Sequence, residues 1–199
     1  MVCIEKIYSV SALVGNGNCN ANCNFCAGKY LRPQAKENPL YYRNLEAAIK
    51  LSARYGGWSL SLTSSGEPTQ DPVSLTKALE VYDKCAKQGA FFPNVNLFTN
   101  GINFGDSSFC NYYLPIWREL GLTNIALSIH SVDEEGQAKA YNLEKYPRLE
   151  TIVKNIEENG VGVRGTLLLR KGELMILKNM KVQFMLLLKK GLIISPHGQ

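Results

Sequence analysis

The stretch Trp58-Ser59-Leu60-Ser61-Leu62-Thr63 is followed by Ser64-Ser65-Gly66-Glu67-Pro68-Thr69-Gln70. Asp71-Pro72 and a run to Gln88 come next, and Gly89 closes the unit. The first segment is short and apolar enough for a buried strand, and the run from Pro72 repeats apolar residues at the three- and four-residue spacing of a helix packed on one face. Asp71 is placed to cap that helix, Pro72 to occupy its first position and Gly89 to end it in a left-handed conformation. The unit is therefore strand, turn, helix.

The same unit recurs along the chain. Strands are expected at Lys6–Val14, Trp58–Thr63, Val95–Thr99, Asn124–His130 and Val161–Leu169, with a weak sixth at Leu192–Ser195. Helices are expected at Asn44–Tyr55, Pro72–Gln88, Ser108–Leu120, Tyr146–Asn159 and Glu173–Lys190, with Gly121 and Gly160 as further left-handed stops. Strict alternation implies an α/β protein with parallel strands, either a doubly wound sheet or a full or partial barrel. In both, ligands bind at the carboxyl ends of the strands.

With 199 residues, 45% of them apolar, the chain can bury one sizeable core, so a single domain over 1–199 is expected. No apolar run reaches eighteen residues, and Met1-Val2-Cys3-Ile4-Glu5-Lys6 lacks the pattern of a secretory leader. The expectation is a cytoplasmic protein without a membrane span. A net charge of +5, spread through the chain, neither demands nor forbids nucleic acid.

Six cysteines in a reducing compartment are expected to stay unpaired. Cys3, Cys85 and Cys110 stand alone and read as small buried hydrophobes. Cys19, Cys23 and Cys26 are different, because they share the loop Gly15-Asn16-Gly17-Asn18-Cys19-Asn20-Ala21-Asn22-Cys23-Asn24-Phe25-Cys26 that follows the first strand. Its residues tolerate turn conformations, so it can fold around a small object. Three thiolates can hold three irons of a cubane cluster and leave the fourth open. Two alternatives stand beside that reading. One is a structural zinc site, which wants a fourth ligand that neither His130 nor His197 supplies nearby in sequence, and the other is a closed electron-transfer cluster with a distant fourth cysteine.

The Cys-x3-Cys-x2-Cys spacing, with an aromatic residue before the third cysteine, resembles the signature of the radical S-adenosylmethionine superfamily. The resemblance implies a [4Fe-4S] cluster on Cys19, Cys23 and Cys26 whose open iron chelates S-adenosyl-L-methionine, with Phe25 at the adenine end. Reduction would then release a 5′-deoxyadenosyl radical that abstracts a substrate hydrogen. Later strand ends fit in order. Ser65-Gly66-Glu67-Pro68 resembles the family's Gly-Gly-Glu-Pro segment, so the backbone at Gly66 and Glu67 would meet the methionine amino group; Ser65 replaces the first glycine, which is harmless if its backbone stays extended.

Thr99-Asn100-Gly101 resembles the segment at the third strand end, which would turn Thr99 and Asn100 toward the cofactor. Ser128 and His130 share a strand face by the two-residue period and match the ribose-binding fourth strand. Arg164 and Thr166, on the fifth strand, would contact cofactor carboxylate or substrate. The resemblance spans about residues 6–172 and favours a partial (β/α)6 TIM-like barrel. It implies an electron donor such as flavodoxin or ferredoxin, and leaves the substrate open among small molecule, peptide and RNA. No side chain stands out as a final hydrogen donor or substrate base.

Between Leu174 and Lys190 the sequence is basic and apolar with no acidic residue. This atypical 173–199 segment suggests a truncated or frame-shifted end, leaving an incomplete barrel edge that a partner chain would cover. Two other functions follow as alternatives. The chain would be an iron–sulfur electron carrier, cluster-binding subunit or inactive fragment, or it would modify nucleic acid using Lys29, Arg32, Lys36 and Arg43 on phosphates.

Overall fold

The computed structural model describes residues 6–30, 39–131, 133–167 and 193–194. Five strands form the body of the sheet: β1 (Ser9–Leu13), β2 (Ser59–Thr63), β3 (Asn94–Thr99), β4 (Asn124–Ile129) and β5 (Gly162–Leu167). A two-residue strand, β6 (Ile193–Ile194), pairs with Arg164 and Gly165 of β5. All pairings are parallel and the order is β1-β2-β3-β4-β5-β6, with β1 and β6 outermost among the described residues. A doubly wound sheet reverses its order part-way, so sequential order marks the partial-barrel alternative.

The two faces of the sheet follow from side-chain alternation. Leu60, Leu62, Val95, Leu97, Ile125 and Leu127 fall on one face and are fully buried in the apolar core. The core is completed by Ile49 of α1 (Pro39–Arg54), Leu75 and Leu79 of α2 (Pro72–Lys87), Leu114 and Trp117 of α3 (Ser107–Glu119) and Ile152 and Ile156 of α5 (Leu149–Glu158). The other face presents Ser9, Ser59, Ser61, Asn94, Asn96 and Asn124, with Asn96 Nδ2 donating to Ser59 Oγ at 3.2 Å. One side of the sheet is thus a hydrophobic floor for the helices and the other a polar wall.

The punctuation works as expected. Asp71 accepts from the Ser74 amide at 3.1 Å and Pro72 opens α2, while Gly89, Gly121 and Gly160 take φ of 91°, 100° and 71°. Two helix starts differ by several residues and one helix is additional. α1 begins at Pro39, five residues before the expected Asn44, because a proline suits the first helical turn. Tyr146 lies outside α5, since Pro147 disfavours helical geometry in the residue before it. A short helix, α4 (Glu134–Tyr141), was not expected; Asp133 caps it through the Gly136 amide at 2.6 Å, and Asn142 ends it at φ 54°.

Cys85 and Cys110 are buried in the core, and burial pushes the Cys110 thiol up to about 12. Cys3 and the expected helix Glu173–Lys190 lie outside the described residues, as do Leu192 and Ser195 at the ends of the expected sixth strand. No helix among the described residues is long and apolar enough to cross a membrane. Leu97 sits in the middle strand with no exposed surface, so Leu97→Ala is expected to lower folding stability by about 2–5 kcal/mol, measured by urea denaturation; a loss under about 1 kcal/mol would contradict the close packing of this floor.

Candidate functional site

The loop that bears Cys19, Cys23 and Cys26 leaves β1 through Gly15 and Gly17, at φ 83° and 81°, and lies over the carboxyl ends of the neighbouring strands. Three alternate asparagines fasten it to three elements. The Asn18 carbonyl accepts from the Glu67 amide beyond β2 at 2.8 Å. Asn20 Oδ1 accepts from Asn100 Nδ2 beyond β3 at 2.8 Å, and Asn20 Nδ2 donates to Asn103 Oδ1 at 3.2 Å. The Asn22 amide donates to the Tyr141 carbonyl at the end of α4, at 2.9 Å.

Close backbone approach explains two glycines. A Cβ on Gly66 would run into the Asn18 and Gly17 carbonyl oxygens, and one on Gly28 would strike the Ser65 carbonyl and lie 3.3 Å from Cys26 Sγ. Ser65 takes no positive φ, since among the described residues Asn142 alone does so without being glycine. Its replacement of glycine is therefore free of backbone strain. The Ser65 hydroxyl is buried, faces the loop and has no hydrogen-bond partner.

Glu67 is only 3% exposed. Its Oε1 accepts from the Thr69 amide at 3.0 Å, the Thr69 hydroxyl at 2.7 Å and the Thr99 hydroxyl at 2.7 Å, while Oε2 accepts from the Asn100 amide at 2.8 Å. Burial pushes the carboxyl above its ordinary range, against the pull of these donors. Bonds to a charged acceptor contribute about 1.5–3 kcal/mol each, which is comparable in sum to the several kcal/mol cost of burying the ion. The carboxylate consequently fixes geometry more than it adds net stability.

The buried Glu67 side chain leaves only the backbone of its segment to meet a ligand, as the resemblance implies, whereas the Thr99 side chain does not take the expected cofactor-facing direction. Thr99 falls on the helix-facing parity with Leu97, is 3% exposed and spends its hydroxyl on Glu67. Asn100 points the other way, to the cysteine loop, and is nearly buried.

An aromatic ladder flanks the loop. Phe25 meets His130 edge-on with ring centroids 4.9 Å apart, His130 meets Tyr141 at 5.0 Å, and Tyr141 stacks on Tyr146 at 5.4 Å. The Tyr141 hydroxyl donates to the Ser128 carbonyl and the Tyr146 hydroxyl to the Asn100 carbonyl, at 2.8 and 2.7 Å. Buried Gln137 holds the β4 end by accepting from the His130 and Ser131 amides at 2.8 and 3.1 Å. Phe25 and His130 are thus in ring contact, and Ser128 meets the same ladder through its carbonyl. Gln137, Tyr141 and Tyr146 were missed, because the first two lie on the unexpected helix and Tyr146 was assigned to α5.

On β5, Thr166 donates to the Leu127 carbonyl at 3.1 Å. Arg164 lies on the polar face with its guanidinium 5.4 Å from the Phe98 ring centroid. Of the residues considered for phosphate contact, Lys29 and Arg43 are exposed, and Arg32 and Lys36 lie outside the described residues, as does His197.

The donor chemistry of the loop fits an iron–sulfur cluster. All three thiols are free. Burial raises the pKa of Cys19 and of Cys23. Among the described residues no three Cys, His, Asp or Glu side chains gather as one metal ion would require. The glycines that let Ser65 and Cys26 approach form a cradle a larger residue would fill.

Comparisons with known proteins agree with this geometry. The sequence profile of the Radical SAM superfamily matches residues 14–176. GTP 3′,8-cyclase of Aquifex aeolicus (strain VF5) is 30% identical over 126 residues, covering 62% of this chain and 36% of that protein. Native anSMEcpe with bound AdoMet and Cp18Cys peptide superposes with a TM-score of 0.63 at 16% identity, over 94% of this chain and 50% of that one. Streptococcus suis SuiB bound to S-adenosylmethionine gives 0.64 at 14% identity, over 98% and 40%. These likenesses identify the open sheet as a partial TIM barrel, and the chain spans half or less of the length of each relative.

Replacing Glu67 by Gln would set an amide N–H against the Asn100 N–H or forfeit the three bonds at Oε1. A buried donor left unpaired costs about 1–3 kcal/mol, so Glu67→Gln is expected to lose that much in urea denaturation. An unchanged midpoint would show that the carboxylate does not hold the strand ends.

Proposed function

Because this chain belongs to the Radical SAM superfamily, we propose that it is a radical enzyme binding a [4Fe-4S] cluster through Cys19, Cys23 and Cys26 and S-adenosylmethionine beside it. The observation that carries this reading is the cysteine loop tied to the turns after β2 and β3 and to the end of α4, each tie made by a different asparagine. When bound, the reduced cluster supplies the electron that cleaves S-adenosylmethionine and so begins hydrogen abstraction from substrate.

The protein's part is to bind, orient and exclude water. Phe25 and His130 offer a ring edge and face against which an adenine can pack, and the polar β4 end beside them suits ribose hydroxyls. The Ser65 hydroxyl, buried and unpartnered beside the loop, is available to a polar group of the cofactor. Gly66 contributes closeness of backbone. Glu67 and Thr99 support these groups from beneath, and Thr166 and Arg164 line the wall further down the barrel. A ferredoxin- or flavodoxin-type donor would deliver the electron, in keeping with the exposure of Cys19 at the loop surface.

The test is anaerobic reconstitution with iron and sulfide, reduction with dithionite in the presence of S-adenosylmethionine, and detection of 5′-deoxyadenosine. The native chain is expected to form 5′-deoxyadenosine, and Cys23→Ala to retain its fold by circular dichroism but lose the cluster absorbance and the product. A reconstituted cluster that leaves S-adenosylmethionine intact would favour an electron carrier or an inactive fragment.

A further inference from the structure

Below the cysteine loop, the polar face of the sheet carries one cation among the described residues, Arg164 of β5. Register aligns Phe98, Ala126 and Arg164 on a single rung across β3 to β5, and side-chain alternation puts all three on the polar face. Ala126 is small, so the Arg164 side chain reaches across it to lie over the Phe98 ring, at 5.4 Å. Arg164 Nε is buried without a hydrogen-bond partner, and among the described residues no carboxylate pairs with the guanidinium. A buried guanidinium donor lacking a partner is costly, and planar oxyanions satisfy its fork best.

The surroundings sharpen the match. The rungs on either side present Asn96, Asn124, Ser128 and Thr166, which are neutral hydrogen-bonding groups. Depth separates this cation from the loop: Ala126 lies four residues before His130, about 13 Å along a strand at about 3.3 Å per residue, and His130 is the level at which Phe25 is met.

We propose that Arg164 receives the carboxylate or phosphate of the substrate, so that the substrate is an anionic molecule whose hydroxyl or amide groups bond to the polar wall. This inference rests on the radical-enzyme reading of the same site. The anion enters the barrel beneath the cofactor, its oxygens take the free guanidinium donors, and Phe98 backs the guanidinium from the opposite side. Thr166 and Ser128 orient the part of the substrate nearest the cofactor.

The experiment is calorimetric titration of the reconstituted full chain with inorganic phosphate and with acetate at low ionic strength, with and without saturating S-adenosylmethionine. Native protein, Arg164→Gln and Arg164→Lys are compared. Native protein is expected to bind at least one anion saturably; Arg164→Gln weakens it at least about tenfold, and Arg164→Lys, which keeps the charge but not the fork, falls between. A parallel titration with S-adenosylmethionine is expected to shift less than the anion titration in Arg164→Gln. A loss of S-adenosylmethionine affinity as large as the loss for phosphate would assign the guanidinium to the cofactor's carboxylate and overturn the proposal. Equal anion binding by all three proteins, or none by the native one, would overturn it as well. Should Arg164→Gln fail to fold by circular dichroism, the lysine variant decides between these outcomes. Failure of the radical reading is separately visible, as native protein that binds phosphate through Arg164 without cleaving S-adenosylmethionine.

Discussion

The buried carboxylate of Glu67 is the point on which the site depends. It receives two backbone amides and two hydroxyls from segments that follow β2 and β3, and its own amide holds the Asn18 carbonyl of the cysteine loop. An ion buried this deeply persists only when its oxygens are satisfied from several directions. That requirement brings together two strand ends and the loop that no local propensity would join. Two side-chain bonds from Asn20 and one backbone bond from Asn22 then complete the placement.

Around this clasp the sheet divides its labour by parity. Residues of one parity are apolar and bury the helices, which gives the strands a stiff base. Residues of the other parity are mainly serine, threonine and asparagine, with Arg164 beside Ala126 and Phe98, which would be poor material for a core and are suited to a wall that meets a polar ligand. The aromatic ladder from Phe25 to Tyr146 joins the two regions, because each tyrosine hydroxyl bonds to a strand-end carbonyl while its ring packs on the next. The site is consequently built on rigid strand ends, with the cysteine loop as the part that must close over them.

Much of this was legible in the chain. The apolar runs and their capping residues gave the strands β1 to β5 and the helices α1, α2, α3 and α5, because alternation and the 3.6-residue period reflect which face is buried. Boundaries moved where proline or a cap intervened, at Pro39 and Pro147, and α4 escaped notice because its eight residues contain few apolar positions to set a period. The cysteine spacing pointed to a cluster for a chemical reason, three thiolates within one flexible loop, and the Gly66 segment was singled out by resemblance without its physical cause being visible.

That cause belongs to tertiary structure. Sequence by itself determined the order of strands and helices, the position of the cysteine loop after β1 and the polar or apolar character of each strand face, since these depend on local geometry and on the solubility of side chains. Only the folded chain decided that Gly66 is needed for the approach of the Asn18 and Gly17 carbonyls, that Thr99 turns away to bind Glu67, and that Arg164 reaches across Ala126 to Phe98. Those facts arise from residues far apart in sequence meeting in space, and no spacing along a single segment encodes such a distance.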